Sequence, residues 1–464
     1  MHFPISLDGF IEAGLPRKST LSLGQLLGAL SHALDITEGQ PEGHCVRCCW
    51  IGLKVGQKLG LGEARTRALY YTLLLKDLGC SSNAARICQL YMTDDLSFKK
   101  GFKTVNGSIG QALNFVLRHA GSDARLKDRV STIFSVLKNS DEIITEVFET
   151  RCNQGAEIAA IMRFPPDVCA AIASLDEHWN GKGRPNRRNG QEIPIYARIA
   201  LMAQVVDVFN IEEGSEAALR EVRARAGSWF DPEVVRAFED CAKDPDFWEV
   251  LNSDSLEAEI YAHPAANATM DVDPTYLDEI ALGFARVIDA KSPFTHGHSE
   301  RVAFYTDMIC AELRYADPHR QWMRRAALLH DIGKLGVSNT ILDKPGKLTE
   351  DEFAQMKQHP VLGFDILSRV SAFHTMAHIA AAHHEKLNGR GYPYGLGASE
   401  LTQDMRILAV ADVFDALTAE RPYREALTLK KTYEIMDKMA VEEIDPQIYT
   451  HLKAAVARSA LFGA

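Results

Sequence analysis

Residues 405–417 read MRILAVADVFDAL and carry apolar residues at spacings of three and four. This spacing follows the turn of an α-helix and predicts a helix with a buried face. The same spacing recurs in residues 280–288, 302–313 and 323–330. Strand-like alternation bounded by turn residues is scarce along the rest of the chain. We therefore predict an all-α protein.

This helix has a second copy earlier in the chain. RIALMAQVVDVF at 198–209 matches RILAVADVFDAL at 406–417, and GKGRP at 181–185 matches GRGYP at 389–393, both at an offset of 208 residues. GHCVRC at 43–48 matches GHSERV at 297–302, and LLKDLGC at 74–80 matches LLHDIGK at 328–334, both at an offset of 254 residues. Matching blocks in the same order indicate an internal duplication. We predict helical domains at residues 1–255 and 275–464, joined by a linker at 256–274.

Composition limits the class of protein. The chain has 464 residues, of which 46% are hydrophobic and 24% charged, as in an ordinary globular protein. A net charge of −11 argues against a broad face for duplex nucleic acid. We expect no membrane span, because no apolar run is long enough, and no signal peptide. Nine cysteines, an odd number, favour reduced thiols in the cytoplasm.

The second copy is rich in groups that bind metal ions. Imidazole and carboxylate together suit a first-row divalent metal. Adjacent ligands suit a pair of ions, because one carboxylate can bridge both while they clamp a water-derived nucleophile and a phosphoryl oxygen. A single histidine on a helix is more often a core or surface residue, but here seven candidates recur beside turns. They are His298, His330, Asp331, His359, His383, His384 and Asp412.

Two of these motifs resemble a known family. HDIGK at 330–334 resembles the signature of HD phosphohydrolases, and HHEKLNGRGYP at 383–393 resembles the extended motif of the HD-GYP subfamily. Members of that subfamily are bacterial phosphodiesterases that hydrolyse the second messenger cyclic di-GMP. The resemblance spans roughly residues 275–445. It implies that the seven candidates are metal ligands, with Asp331 as the bridging carboxylate.

The resemblance also implies roles around the substrate. Lys334 matches the lysine that contacts the scissile phosphate, which makes Asp331 and Lys334 the expected catalytic pair. Asp415, Arg421 and Arg424 match polar residues around the guanine and the phosphates. The expected products are pGpG and, in some relatives, GMP. Iron or manganese is the preferred metal, with nickel, cobalt and zinc left open.

Two departures from the family pattern lie upstream of His298. Ser292 stands where the family has an acidic residue before Pro-aromatic-Thr. Phe294 stands where some members have a glutamate that binds a third metal. We therefore expect two divalent metal ions rather than three.

The first copy has lost most of the ligands. It keeps His44 and Asp77, but the two offsets replace His330 by Lys76 and His359 by Arg151. The remaining ligand positions are Leu175, Asp176 and Gln204. Cationic side chains repel a metal ion, so we predict a degenerate HD-like domain without metal, with Lys76 paired to Asp77 or Asp176. HCVRCC at 44–49 could bind zinc, but we expect Cys45, Cys48 and Cys49 in the core.

The sequence thus predicts a metal-dependent cyclic di-GMP phosphodiesterase with a degenerate N-terminal copy. One alternative is an HD phosphohydrolase that acts on another cyclic dinucleotide or nucleotide. Another is a sensor or interaction protein that binds cyclic di-GMP without hydrolysis. A homodimer, and a signalling protein bound by the first copy, are further partners that the sequence leaves open.

Overall fold

The computed structural model describes residues 23–91, 93–102, 140–266, 273–421 and 424–459. The prediction of an all-α protein is confirmed. Over these residues the regular elements are α-helices and short 3-10 helices, and the only β features are isolated bridges such as Asn388–Gly397. In the same residues, no helix combines the length and the apolar character that crossing a membrane requires.

The helices are numbered along the chain. Before residue 267 they are α1 Leu23–Thr37, α2 His44–Lys58, α3 Glu63–Leu75, α4 Ala84–Tyr91, α5 Asp95–Phe102, α6 Ser140–Ile161, α7 Pro166–Ile172, α8 Ile195–Glu213, α9 Ser215–Arg225, α10 Pro232–Ala242, α11 Pro245–Leu251 and α12 Leu256–Ala262. After residue 272 they are α13 Pro274–Asp289, α14 His298–Glu312, α15 Asp317–Leu329, α16 Asn339–Leu342, α17 Glu350–Met356, α18 His359–Ser368, α19 His374–Ala381, α20 Gln403–Thr418, α21 Leu429–Met439 and α22 Pro446–Arg458. Within the described residues, four 3-10 helices interrupt this order: Cys80–Asn83, Gly190–Glu192, Ile332–Gly336 and Ser371–Phe373.

These four 3-10 helices are short turns of three to five residues, and the one at Ile332–Gly336 directly follows Asp331.

The described residues group into two compact units. One contains residues 21–273 and is called the N-terminal unit; the other contains residues 274–337 and 341–464 and is called the C-terminal unit. The predicted linker at 256–274 differs from this arrangement at its start. Residues 256–262 form α12, because Leu256 and Ile260 are one turn apart and both are buried. Residues 267–272 of the linker lie outside the described residues.

Each unit is built around one helix that is buried on nearly all sides. In the N-terminal unit this is α8, which packs against α2, α3 and α9. In the C-terminal unit it is α20, which packs against α14, α19 and α22. A helix that is apolar all round belongs in a core rather than on a surface, which explains the long apolar runs of both sequences. The central position of α20 carries Asp412 into the middle of the C-terminal unit.

Candidate metal centre

The seven predicted ligands of the C-terminal unit lie together, although they come from five helices. Four of these helices contribute a residue at one end and the central helix contributes one from its middle. His298 begins α14, His330 and Asp331 follow α15, His359 begins α18, His383 and His384 follow α19, and Asp412 lies within α20. Side chains at these helix ends and in the middle of α20 therefore converge on the buried carboxylate of Asp331.

Asp331 faces two groups of imidazoles with its two oxygen atoms. Its Oδ2 lies 3.2 Å from Nε2 of His298 and 3.4 Å from Nε2 of His330. Its Oδ1 lies 3.4 Å from Nε2 of His359 and 3.6 Å from Nε2 of His383. Each oxygen thus shares a small space with two ring nitrogens. A carboxylate placed in this way can bridge two cations.

Asp412 and His384 complete the two groups. Oδ1 of Asp412 lies 3.5 Å from Nε2 of His298 and 3.9 Å from Nε2 of His330, so it joins the first group. His384 has a ligand atom close to those of His359 and His383 and joins the second group. Its Nδ1 also lies 3.9 Å from Oδ2 of Asp412. His384 is the more exposed member, and it lies at the wall of a cleft.

The ring orientations fit a metal centre. Nε2 of His298, Nε2 of His330 and Oδ1 of Asp331 are buried and have no hydrogen-bond partner, which is costly unless a ligand satisfies them. A carbonyl oxygen three residues earlier fixes Nδ1 of three rings: Ala327 accepts from His330 at 2.6 Å, Met356 from His359 at 2.8 Å, and Ala380 from His383. A donated Nδ1–H leaves the Nε2 lone pair for a metal. Nitrogen and oxygen donors of this kind fit first-row divalent ions.

His298 is oriented by a carboxylate instead. Its Nδ1 lies 2.7 Å from Oδ2 of Asp415, and Arg301 donates to the same carboxylate from Nε at 2.6 Å and from Nη2 at 3.1 Å. Asp415 is fully buried in this arrangement. Its expected contact with the guanine and the phosphates stays a prediction. Asp415 orients a metal ligand, because the ring and the guanidinium use both of its oxygens.

The pKa values of His330, His359 and Asp331 favour the forms that bind metal. Burial lowers the pKa of His330 to about 4, and burial also holds the pKa of His359 well below its usual value, so both rings are neutral. Burial opposes ionisation of Asp331, but His330 and Lys334 outweigh it and hold the pKa of that carboxyl well below its usual value. Burial likewise opposes protonation of His298, but the nearby carboxylates of Asp331 and Asp415 raise its pKa to about 9, so this ring carries a proton. A metal ion would displace that proton.

A cleft with a volume of about 810 Å³ opens beside the second group of ligands. His359 and His384 form part of its wall, together with Lys334 and Arg421. Nζ of Lys334 lies 2.5 Å from Oδ2 of Asp331, so this ammonium stands between the carboxylate and the cleft. The volume falls within the range of about 300–1,000 Å³ that is usual for small-molecule sites.

Arg424 is placed differently from Arg421. Its Nη2 donates to the carbonyl oxygen of Ala416 at 2.6 Å, and its Nη1 donates to the carbonyl oxygens of Leu417 at 3.0 Å and Glu425 at 2.9 Å. Two of these carbonyls belong to the last turn of α20, where backbone acceptors have no partner within the helix. Arg424 therefore closes the end of α20 in this structure, and its expected contact with substrate stays a prediction.

The loop after His384 is tied to the same cluster by two residues. Glu385 accepts backbone hydrogen bonds from Tyr394 at 2.7 Å, Gly395 at 3.1 Å and Leu396 at 3.0 Å. The ring of Tyr392 lies 4.6 Å from the ring of His384, centre to centre. The tyrosine of the GYP motif thus lines the cleft next to the ligands.

The N-terminal unit has cations where the C-terminal unit has ligands. Lys76 is fully buried, and its Nζ contacts Oδ2 of Asp77, one of the two partners expected for it. Arg151 lies 3.4 Å from Oδ1 of Asp77 through Nη2 and 3.5 Å from Oδ1 of Asp176 through Nη1. Both oxygens of Asp77 are therefore satisfied by side chains, as both oxygens of Asp331 would be by metal ions.

The N-terminal unit nevertheless keeps the carboxylate and the arginine that orient the first histidine. Nδ1 of His44 lies 2.6 Å from Oδ2 of Asp207, and Arg47 donates to Asp207 from Nε at 2.5 Å, as Arg301 does to Asp415. Cys45, Cys48 and Cys49 are buried without a disulfide, as predicted for core residues. All three thiols have a pKa raised by burial, which keeps them protonated.

Sequence reasoning did not single out Arg301 or Glu385, although the repeat carries a signal for both. Arg301 and Arg47 occupy the same place in GHSERV and GHCVRC. Glu385 matches Glu177, which also accepts two backbone hydrogen bonds from the loop that follows it, from Asn186 and Arg188. Both copies keep these residues although one copy has lost its metal ligands. We therefore infer that the residues hold the surrounding structure in place rather than bind metal.

Comparison with known proteins agrees with this geometry. The family model of the HD domain matches residues 131–234 and 284–448. The 3′3′-cGAMP-specific phosphodiesterase 3 of Vibrio cholerae is 49% identical over 439 residues, which cover 95% of each protein. A cyclic di-GMP phosphodiesterase of Thermotoga maritima is 40% identical over 156 residues, which cover 33% of this chain and 42% of that protein.

A solved structure extends the likeness to the fold. The crystal structure of a cyclic GMP-AMP-specific phosphodiesterase of V. cholerae has a TM-score of 0.64 and 44% sequence identity, and it covers 94% of this chain and 98% of its own. The match therefore includes both copies of the helical fold and the cluster around Asp331. The chain belongs to the HD domain family, and within it to the proteins of the HD-GYP type.

Proposed function

We propose that this protein hydrolyses a 3′3′-linked cyclic dinucleotide and that 3′3′-cGAMP is its substrate. One observation carries the proposal: the complete set of ligands around Asp331 occurs in a chain that aligns over 95% of its length with a 3′3′-cGAMP-specific phosphodiesterase. This substrate differs from the cyclic di-GMP that the motifs alone imply. Two cyclic dinucleotides share the ribose-phosphate ring, so the same metal centre can serve either.

The residues of the chain divide the chemical tasks between them. The two groups of ligands around Asp331 would hold two divalent ions, and such ions supply Lewis acidity for water activation and for the charge that develops on the phosphoryl oxygens. Lys334 Nζ would donate a hydrogen bond to the scissile phosphate from the cleft wall. Arg421, on the same cleft, would neutralise the second phosphodiester. Asp415 and the backbone carbonyls keep the imidazoles aimed at their ions throughout.

Cyclic di-GMP is the second candidate substrate. The HHEKLNGRGYP motif favours it, as does the likeness of the C-terminal unit to the T. maritima cyclic di-GMP phosphodiesterase. The two substrates differ in one purine base, while the phosphates are the same. Selectivity must therefore arise where the cleft meets the bases rather than at the metal centre.

We further propose that the N-terminal unit is a degenerate HD domain that neither binds metal nor hydrolyses a nucleotide. The contacts of Lys76 and Arg151 with Asp77 support this, because two cations already satisfy the carboxylate. This unit would then act as a scaffold or as a surface for another molecule.

Turnover of purified protein loaded with Mn²⁺ or anaerobic Fe²⁺ tests the proposal. The assay compares 3′3′-cGAMP, cyclic di-GMP and cyclic di-AMP by chromatography, with the His330→Ala/Asp331→Ala variant as control. We expect linear dinucleotide from 3′3′-cGAMP with the wild type only. Preferential turnover of cyclic di-GMP would support the second candidate. Binding without turnover at full metal occupancy would overturn the enzyme proposal and indicate a sensor.

A further inference from the structure

One large apolar side chain stands exposed in the cleft. Phe353 on α17 lines the cleft and is 44% exposed, which is unusual for a phenylalanine among the described residues. A molecule in the cleft that covers this ring would bury apolar surface and release water, which favours binding. The edge of the ring faces Tyr392, with the two ring centres 5.9 Å apart and the planes at 79°.

Phe353 continues a series of rings that starts at the metal ligands. The ring of Tyr392 lies 4.6 Å from His384 at an angle of 35°, and Phe353 follows Tyr392 towards solvent. The three side chains thus line the cleft from the cluster to its mouth. A planar group that enters the cleft meets aromatic surface along this wall, as a base does on a stacking platform.

The segment that carries Phe353 is fixed in place before any ligand binds. Thr349 and Glu352 form a reciprocal capping box at the start of α17. Glu352 is also paired with Nζ of Lys344 at 2.5 and 2.8 Å, which ties α17 to the preceding loop. A platform on a capped helix loses little conformational entropy when it binds a ligand.

The first copy of the fold shows that the helical frame does not require these rings. At the offset of 208, Phe353 corresponds to Thr145 and Tyr392 to Arg184. These two residues also touch: Nε of Arg184 donates to Oγ1 of Thr145 at 3.1 Å. The same two positions are thus in contact in both units, but they are aromatic only in the unit that carries the metal ligands. Because the aromatic pair occurs together with the metal ligands, we connect it with the molecule that binds in the cleft.

We propose that Phe353, backed by Tyr392, is the surface on which one purine base of the substrate stacks. This assignment rests on the proposed function and deepens it, because it places base recognition on α17, away from the metal ions. Phe353 is then a residue that sets substrate affinity, and the chemical step does not depend on it. Nζ of Lys357 lies over the Phe353 ring, 5.0 Å from its centre, and would give way to a base on that face.

Steady-state kinetics of three variants with 3′3′-cGAMP test this assignment. Phe353→Thr introduces the residue of the first copy, Phe353→Trp keeps an aromatic face, and Phe304→Thr removes a phenylalanine of matched exposure, 43%, outside the cleft. Loss of one stacked base should raise KM about 5- to 100-fold in Phe353→Thr. We expect kcat within about threefold of wild type and unchanged metal content, since no ligand is touched. Phe353→Trp and Phe304→Thr should keep the wild-type KM.

The outcomes separate the two proposals. If the wild type hydrolyses a cyclic dinucleotide but Phe353→Thr keeps KM within about twofold, the stacking assignment alone is overturned. A fall in kcat and metal content with unchanged KM would also overturn it, because Phe353 would then support the metal centre. If the wild type turns over no cyclic dinucleotide at full metal occupancy, the proposed function fails and the stacking assignment fails with it.

Discussion

Single side chains that bind no ion decide how the metal ligands are presented. Asp415 is the clearest case, because its two oxygens hold the ring of His298 and the guanidinium of Arg301. Asp415→Asn leaves the shape of the site but removes the charge that fixes the tautomer of His298. We expect metal affinity or activity to fall by about 10- to 100-fold, as is usual for such outer partners. Mn²⁺ titration by calorimetry and kcat measure this.

Asp404→Asn supplies the control for that variant. Asp404 lies on the same helix, α20, but pairs with His319 at 2.9 Å at a partly exposed site away from the cluster. Its substitution should leave the affinity for Mn²⁺ unchanged. Equal losses in the two variants would mean that α20 responds to any lost carboxylate, and the positioning role of Asp415 would be wrong.

Asp35 provides a pH-dependent term in the N-terminal unit. Its Oδ1 accepts from the backbone nitrogen of Cys45 at 2.9 Å, whereas its buried Oδ2 has no hydrogen-bond partner. Burial raises its pKa to about 6, although Lys76 opposes this. The folded protein therefore binds this proton more tightly than the unfolded chain, whose aspartates titrate near pH ~4. The free energy of unfolding should fall by about 3 kcal/mol as the pH rises from about 4 to 6, and stay lower above that.

Asp35→Asn removes this titration and so tests it. Relative to wild type, the unfolding free energy of the variant should rise by about 3 kcal/mol between pH 4 and pH 8, measured by urea denaturation without metal. Asp240→Asn, at an exposed pair with Lys243, should show no comparable change over the same range, because solvent screens the pair. A flat difference for Asp35→Asn would show that folding does not raise the pKa of Asp35, contrary to this prediction.

Short sequence motifs show which residues to consider as ligands, but they do not show what the neighbouring residues do. The seven ligands could be named because short motifs carry them, and the structure brings these side chains together. The roles of Asp415 and Arg424 could not be read in this way. Asp415 meets His298 across 117 residues of chain, and Arg424 folds back on carbonyls that only the end of α20 exposes. Contacts made by the fold decide such roles.

Among the helices, the junction between the HDIGK turn and α18 leaves no room for a side chain. A Cβ at Gly333 would lie 1.9 Å from the carbonyl oxygen of His359, and a Cβ at Gly79 would lie 1.8 Å from that of Arg151 in the other unit. Gly333→Ala must therefore push α18 away and displace His359. We expect a loss of about 3 kcal/mol or more in the free energy of unfolding, together with weaker Mn²⁺ binding.

Gly363→Ala is the matched control, because it lies on α18 across the same junction. Its Cβ would come no closer than 3.6 Å to Gly333 and Ile332, which is ordinary contact. The variant should unfold and bind Mn²⁺ almost as the wild type does. Normal metal binding by Gly333→Ala would show that α18 can retreat without moving His359, contrary to this prediction.

Helix existence followed from apolar spacing, but the ends of helices and domains did not. The predicted linker at 256–274 includes the two-turn helix α12. The acidic residues Glu257 and Glu259 on its exposed face separate its buried apolar residues, so the apolar pattern is too short to recognise. A run of seven residues offers little periodic signal. Tertiary packing of Leu256 and Ile260 decides its conformation instead.

Across the whole molecule, two copies of one frame satisfy the same buried carboxylate in different ways. Asp77 is neutralised by the side chains of Lys76 and Arg151, whereas Asp331 meets four imidazoles and the ammonium of Lys334. The first arrangement is complete in the folded protein. The second leaves buried atoms without hydrogen bonds until cations arrive. One copy should therefore need its carboxylate for stability and the other for metal.

The paired variants Asp77→Asn and Asp331→Asn test this division directly. Asp331→Asn should lose both ions and lower kcat by more than about 100-fold, because the bridge joins the two groups of ligands. Asp77→Asn should keep metal content and kcat, but lose about 3–5 kcal/mol of unfolding free energy, since Lys76 is left buried without its partner. Elemental analysis, turnover and urea unfolding of both variants provide the readouts. A lower metal content in Asp77→Asn than in the wild type would contradict this prediction. It would mean that Asp77 binds an ion in the N-terminal unit in addition to its contacts with Lys76 and Arg151.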